Sequence, residues 1–311
     1  MIKGLYNMRR KVIQIADSTQ LVSLPRKWAL KQNLKKGDEL SIDEKGSQLV
    51  ISADTGPSVE KTSLKIDDLE PMTLRYIVAL YKKGIDLIDV SFDNPEKIRV
   101  VQQSIGKEAV GFEITDQTIN SCVIKHVSGE LEDFDPIMRR TFLLLNSMAK
   151  QTYEALEKGR LENLKNAAYL EEANNRFTTT CRRLLNKKGY KGKEIGPLYY
   201  IIEELENIAD QYKYLCNYFY SKKNKSIKIS KNVMSLLKDS NEVLDKFYNI
   251  FYDYKVDKIV SMGKLRKQVV DRSFHVLEKS NNSDEVILAH YCLTIVQKVF
   301  CLIGPYLVIA L

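Results

Sequence analysis

The feature that most constrains the fold is a run of long helical patterns that begins at Phe134 and continues to Leu311. Apolar residues recur there at spacings of three and four, which is typical of helices that bury one face. The lengths recur as two sets of three, which indicates an internal duplication with repeats over about 135–222 and 229–311. The six predicted helices cover residues 135–158, 160–187, 196–222, 229–253, 255–279 and 284–310.

Two smaller units precede these helices. Residues 9–52 have the pattern of short strands, turns and one short helix, and residues 52–60, SADTGPSVE, have the composition of a linker. So small a module rarely buries a core alone, and we expect it to pair with a second copy. Residues 61–127 alternate in the order β-α-β-α-β-β, which predicts one small sheet covered by two helices.

The sequence therefore predicts three domains and a multi-domain, mainly α fold class. A small β module covers residues 1–54, a short α/β connector covers 55–130, and a six-helix domain covers 131–311. The chain of 311 residues is 44% hydrophobic and 28% charged, with only 14 glycines and 7 prolines, so disordered and collagen-like classes are excluded.

The five cysteines are odd in number and lack CxxC spacing, so they predict reduced thiols rather than disulfides or a zinc site. No long apolar run follows the N-terminal charges of MIKGLYNMRRK, and we expect a cytoplasmic protein. Residues 292–311 are apolar over about the length of a bilayer span. Because Gln297, Lys298 and the Gly304-Pro305 pair interrupt that run, we expect a buried bundle helix and no membrane insertion.

The third predicted bundle helix carries a stripe of carboxylates beside its apolar face. Glu203, Glu206 and Asp210 lie three and four residues apart, so they stack along one flank of the helix. Like charges at this spacing repel each other, and either a basic neighbour or a bound cation would compensate them. Hard metal ions prefer such carboxylate oxygens.

The second predicted bundle helix places polar side chains at core positions. Its apolar spacing continues from Leu164 and Ala168 to Glu171 and then to Asn174 or Asn175. A buried carboxylate is costly unless it is paired or bound to a metal, which favours a functional site. The alternative is a helix face rotated by one position, which would leave these groups in solvent.

Two segments of these helices resemble the PhoU family. Residues 205–219, LENIADQYKYLCNYF, resemble its signature with an acidic metal-binding element, and residues 171–177, EEANNRF, resemble its earlier polar element. The resemblance implies two three-helix repeats and a divalent or iron-type metal ion in the first repeat. The ligands that it implies are Glu171, Asn175, Glu206 and Asp210, with Glu203 as a further candidate.

The second repeat departs from that signature. Its segment YCLTIVQKVFCLIG has Leu293 and Gln297 at the acidic positions, and KQVVDRSF keeps Asp271 but has Lys267 where an acid is expected. We therefore expect the second-repeat metal site to be lost. The first site is weakened as well, because the neutral amide of Asn175 is a poorer ligand than a carboxylate.

The N-terminal module resembles the AbrB/SpoVT swapped-hairpin family. Residues 18–42 follow the family's order of a strand ending in proline, a short helix and the pattern L-x-x-G-D-x-h. The family's fixed positions are occupied by Leu34, Gly37, Asp38 and Leu40. The resemblance implies an intertwined homodimer that binds DNA through basic residues near the strand ends.

The position of charge agrees with that implication. Residues 1–54 hold ten Lys or Arg and six Asp or Glu, a net charge of +4, and the whole chain carries +8. Phosphate contacts from both copies would suit a two-fold dimer. The alternative is an ordinary solvated basic face on a dimerisation module. The candidate DNA-binding residues are Arg9, Arg10, Lys11, Arg26 and Lys27.

The order of the three units resembles the archaeal type of phosphate uptake regulator. This implies a cytoplasmic, homodimeric regulator of phosphate homeostasis that binds DNA and senses a metal or a transporter partner. The alternative is a protein-protein adaptor of a phosphate ABC transporter or sensor, in which the β module only dimerises. We do not expect an enzyme, because the sequence has isolated histidines and no nucleophile motif, phosphate loop or HExxH motif.

Overall fold

The computed structural model of the chain describes residues 9–15, 19–53, 59–127, 133–188, 194–225 and 227–311. The chain forms two compact units, residues 1–59 and residues 60–311. The predicted fold class, multi-domain and mainly α with a small β module at the N-terminus, is confirmed. The predicted connector and bundle both lie in the second unit.

The first unit is built of two short hairpins and one helix. In the first hairpin β1 pairs with β2, and in the second β3 pairs with β4, both antiparallel. Gly46, at φ +61°, lies in the tight turn between β3 and β4, a conformation that glycine adopts without steric cost. The elements are β1 (Ile13–Ile15), β2 (Thr19–Leu21), α1 (Arg26–Lys31), β3 (Leu40–Lys45) and β4 (Gln48–Ala53).

The described residues of the first unit form no closed core in a single chain. Between residues 9 and 53, no residue whose exposure is described is buried. Ile13 faces Leu21 and Ile42 faces Ile51 across the two hairpins, yet Ile13 is 56% exposed and Ile42 is 61% exposed. The hairpins therefore present apolar side chains that a single copy leaves in water.

The second unit begins with a four-stranded sheet in the strand order β5-β6-β8-β7. β5 is parallel to β6, and the other two pairings are antiparallel. Gly84, at φ +97°, ends the first of two helices, as a helix C-terminus commonly requires. The elements, in the predicted order, are β5 (Lys61–Lys65), α2 (Thr73–Lys83), β6 (Leu87–Ser91), α3 (Lys97–Glu108), β7 (Phe112–Gln117) and β8 (Ser121–His126).

The helical region follows, and its helices overlap the six predicted segments closely. The second helix is preceded by a short 3-10 turn, Leu161–Asn163. A single core joins both sets of helices. The helices are α4 (Phe134–Glu157), α5 (Leu164–Lys188), α6 (Ile195–Tyr220), α7 (Lys231–Tyr252), α8 (Val256–Lys279), α9 (Ser283–Cys301) and α10 (Ile303–Ala310).

The last predicted helix is divided at Leu302. Pro305 lacks an N–H group, and its ring clashes with the carbonyl of the residue four positions earlier, Cys301. The backbone tightens there, since the Leu302 N–H donates to the Val299 carbonyl at 3.1 Å. The proline thus explains a break that apolar spacing alone did not predict.

Among the described helices, the stretch Ser283–Ala310 is long and apolar enough to cross a membrane, and 44% of its most apolar window is buried. Its buried residues, such as Leu288, Cys292 and Val299, belong to the bundle core. The Tyr306 hydroxyl donates to the Ile250 carbonyl at 2.6 Å. One face of this stretch therefore packs against the other bundle helices.

Candidate functional site

The connector sheet and the bundle are joined by Arg183, a fully buried residue of α5. Its guanidinium donates to the carbonyls of Tyr81 at 2.8 Å and Ile85 at 2.7 Å, at the C-terminal end of α2. It also pairs with the carboxylate of Asp86 and lies 4.7 Å from the centroid of the Tyr81 ring. One arginine thus donates to two carbonyls at a helix end and pairs with an acid beyond it.

Asp86 accepts from three donors. Arg183 and Lys187 both pair with Oδ1, and the Glu60 N–H donates to Oδ2 at 3.0 Å. Burial opposes ionisation of this carboxyl, but the hydrogen bonds from Lys187 and Glu60 and the two positive charges hold its pKa below the usual value. Asp86 is therefore a charged anchor of the connector.

Arg182, the neighbour of Arg183, lies against α6. Consecutive residues of a helix point about 100° apart, so the two arginines contact different elements. Arg182 is fully buried and forms ion pairs with Glu203 and Glu206. The Thr178 hydroxyl donates to Glu206 Oε2 at 2.6 Å. Two of the three stacked carboxylates therefore have a basic neighbour.

The third carboxylate of the stripe, Asp210, pairs with Lys213 one turn along α6. Lys213 also pairs with Glu171 of α5 at 2.9 Å, and the Asn175 amide donates to Glu171 Oε1 at 2.6 Å. Burial lowers the pKa of Lys213, but the hydrogen bonds and charges of Asp210 and Glu171 outweigh burial and raise it. Lys213 is thus held as a cation between two acids.

The core positions predicted on α5 are confirmed. Glu171 is 7% exposed and Asn174 is 1% exposed, so the alternative of a rotated, solvated face is wrong for these two residues. Asn174 donates to the Thr141 carbonyl at 3.4 Å. The amide nitrogens and Glu171 thus have protein partners, whereas the buried oxygens Asn174 Oδ1 and Asn175 Oδ1 have no hydrogen-bond partner among the described residues.

The predicted metal ligands are distributed over two ion-pair clusters. Glu206 lies with Arg182, whereas Glu171, Asn175 and Asp210 lie around Lys213. Among the residues that the structure describes, no group of three or more His, Cys, Asp and Glu side chains could hold a metal ion. In this arrangement the donor set does not fit a metal, and metal binding stays a prediction of the sequence resemblance.

In the second repeat, three of the residues that correspond to the signature lie on the surface. Asp271, Lys267 and Gln297 are exposed. Arg272, beside Asp271, pairs instead with Asp239 of α7. The first-repeat cluster, in which Lys213 pairs with Glu171 and Asp210, therefore has no counterpart at these positions.

Two connector residues add charge near Arg182. Burial and the positive charge of Arg182 lower the pKa of Lys82 at the end of α2. The negative charges of Glu206 and Glu203 act in the opposite direction but do not outweigh them. Burial and the negative charge of Glu206 raise the pKa of Glu108 at the end of α3. The carboxylate stripe of the bundle is therefore electrostatically coupled to the connector.

Sequence reasoning missed the basic partners at the centre of this site. The signal was present in the segment CRRLL, residues 181–185, where two arginines interrupt an apolar stripe. Charged residues at core positions require partners, which would have indicated acids on the adjacent elements.

The candidate DNA-binding residues lie on the surface of the first unit. Arg9, Arg10 and Lys11 precede β1, and Arg26 and Lys27 form the first turn of α1; all five are exposed. The glycine-aspartate motif beyond α1 forms a turn, since Asp38 Oδ2 accepts from the Lys35 N–H at 2.7 Å and Gly37 has φ +98°. The motif thus positions the chain before β3.

Comparison with known proteins identifies the class of this module. Residues 13–57 match the family described as "Antidote-toxin recognition MazE, bacterial antitoxin". The module is therefore a MazE/AbrB-like, antitoxin-type domain. No curated protein matches the chain.

Proposed function

We propose that this chain is a cytoplasmic, homodimeric regulator that binds DNA through its N-terminal module and controls phosphate uptake. The match of residues 13–57 to an antitoxin-type family carries the proposal, because domains of this class typically form dimers that bind DNA or toxin partners. The helical region would detect the signal, and the module would engage the operator.

The exposed apolar faces of the first unit support a dimer. Ile13 and Ile15 share a face with Leu21 on one hairpin, and Ile42 shares a face with Leu49 and Ile51 on the other. Leu49 is 68% exposed. A second copy that covers these strands would remove this apolar surface from water, which is the main favourable contribution to association.

The charge of the module supports a nucleic acid partner. Within the described part of the chain, no carboxylate forms an ion pair with the candidate DNA-binding side chains. Their positive charge is therefore available to phosphate groups, and a two-fold dimer presents ten such side chains. Binding through phosphates releases counterions, so the affinity must fall as the salt concentration rises.

A separate observation supports the assignment to phosphate uptake. Residues 171–177 and 205–219 resemble the PhoU signature. In the observed arrangement Arg182 and Lys213 pair with the acids of that signature. This favours a phosphate ABC transporter or a sensor protein, rather than a metal ion, as the source of the signal. Coupling requires that the partner and the DNA each favour one of two conformations.

Fluorescence anisotropy tests the proposal by comparing the protein's affinity for DNA from its own phosphate-transporter promoter with its affinity for scrambled DNA. We expect promoter-selective binding that weakens in the Arg26→Ala, Lys27→Ala double variant. A matched control is Lys264→Ala, Lys267→Ala, which removes the same charge from exposed residues of α8. Non-selective binding, or an equal loss in both variants, would contradict the proposal.

A second candidate function is an adaptor that binds another protein. The match to the antitoxin-type family supports it only through dimerisation, since domains of this class typically form dimers. In that case the N-terminal module would dimerise without binding DNA, and the helical region would contact a phosphate ABC transporter or sensor. A dimer that shows no promoter selectivity in the anisotropy experiment would favour the adaptor.

A further inference from the structure

A cavity of about 730 Å³ lies in the helical region, and the carboxylates of the α6 stripe are not among its lining residues. It is bounded by the end of α4, by the segment that connects α6 to α7, and by the first turns of α7. Its volume lies within the range of about 300–1,000 Å³ that is typical of small-molecule sites.

Four lysines line this cavity. Lys223 and Lys225 belong to the connecting segment, whereas Lys231 and Lys238 belong to α7. The two helical lysines are seven residues apart, so their side chains extend from the same face of α7. The cavity therefore has exposed lysine side chains on two of its sides.

The negative charge in the lining does not balance these lysines. Glu157 is the acidic residue of the lining, and it accepts a hydrogen bond from the Tyr153 hydroxyl at 2.6 Å. Within the described residues, none of the four lysines forms an ion pair with a carboxylate; Lys223 instead lies 4.1 Å from the centroid of the Tyr220 ring. The lining therefore carries a net positive charge, which an anion in the cavity would neutralise.

Much of the rest of the lining is apolar. Leu156 is buried, and Ile227, Ile229 and Met234 are partly buried and pack against the bundle core. These side chains would contact a hydrocarbon or aromatic group of a ligand, which an inorganic anion does not have. The combination of several cations with an apolar wall is typical of sites for organic anions.

We infer that this cavity binds a small organic polyanion, with its anionic groups against the lysines and an apolar or aromatic body against the Leu156, Ile227 and Met234 side chains. A nucleoside triphosphate has this chemistry. The inference does not depend on DNA binding, because the residues that line the cavity lie between Tyr153 and Lys238, in the helical region.

Isothermal titration calorimetry of the full chain tests the inference with three probes: ATP, adenosine and inorganic tripolyphosphate. We expect ATP to bind at least several times more tightly than either fragment, because it alone uses both parts of the lining. No binding of ATP would overturn the inference. Tripolyphosphate affinity equal to that of ATP would overturn the assignment of an organic ligand.

Two double variants locate the site. Lys231→Gln, Lys238→Gln should weaken ATP binding roughly tenfold or more, since each lysine provides a charge-assisted contact. Lys264→Gln, Lys267→Gln removes the same charge from exposed positions of α8, outside the cavity lining, and should leave the affinity unchanged. An equal loss in both variants would show non-specific attraction and would overturn the inference. Arg26→Ala, Lys27→Ala should bind ATP normally, which separates this test from that of DNA binding.

Discussion

Arg183 of the bundle and Asp86 of the connector form an ion pair in which the arginine is fully buried and the aspartate is 9% exposed. The same guanidinium donates to two carbonyls at the end of α2. A displacement of the connector from α5 would leave the guanidinium and both carbonyls without these partners. The contact therefore fixes the connector against the first bundle repeat.

Replacing Arg183 with alanine should destabilise the second unit by about 3 kcal/mol, because it removes a buried side chain, one of the three donors to Asp86 and a donor to two helix-end carbonyls. Urea unfolding monitored by circular dichroism measures this change. Lys246→Ala is the control, since it breaks only an i, i+4 pair with Glu242 on the surface of α7. Equal effects of the two changes would contradict the anchoring role of Arg183.

His126 should remain neutral in the folded protein under mildly acidic conditions. Burial and the positive charge of Arg183 lower its pKa from 6.5 to about 4. The unfolded chain therefore binds a proton that the folded chain does not bind, and the stability contributed by the neutral imidazole is lost as the pH falls from about 6.5 to 4. NMR titration of the imidazole measures the pKa directly. A midpoint near 6.5 would contradict the observed burial.

The ion pairs of Glu206 and Asp210 predict that metal removal has no effect on stability. The resemblance to the PhoU signature implies the opposite, so thermal unfolding separates the two expectations. We expect the same Tm after EDTA treatment and after addition of Mn²⁺ or Fe²⁺. A Tm that rises with metal, and rises less in Asp210→Asn, would show that the cations Arg182 and Lys213 give way to a metal.

Ile42→Asp should dissociate the dimer. It places a charge on the apolar face of the second hairpin, where Ile42 is 61% exposed in a single copy. Light scattering after size-exclusion chromatography should report a dimer for the wild type and a monomer for the variant, with the helical content unchanged. The control is Val260→Asp, at a 49% exposed position of α8. A variant that remains dimeric would contradict dimerisation through the hairpins.

The helical part of the fold could be predicted from the sequence because each helix buries a stripe with a 3.6-residue period. Glu171 was identified in the same way, as an acid that interrupts the stripe. The helical period identifies the buried face of each helix, but it does not identify which residue of another element contacts a given side chain. The pairing of Arg183 with Asp86, 97 residues away, could therefore not be predicted.

The carboxylates of α6 illustrate the same limit. Their spacing predicted a compensating positive charge, and it left a basic neighbour and a metal ion as alternatives. In the observed arrangement Arg182 and Lys213 are the basic neighbours, because both cations contact the acids directly, and metal binding stays a prediction. The sequence contained both residues, but only the packing of α5 on α6 brings Arg182 to Glu203 and Glu206.

The central claim, DNA binding by a dimeric N-terminal module, is tested most directly by the salt dependence of promoter affinity. The logarithm of the association constant should fall linearly with the logarithm of salt concentration, by about 0.9 for each phosphate contact. The Arg26→Ala, Lys27→Ala variant removes four side chains per dimer, so the slope should become shallower by up to about 3.6. An unchanged slope, or no promoter binding at low salt, would contradict the claim and leave the module as a dimerisation domain.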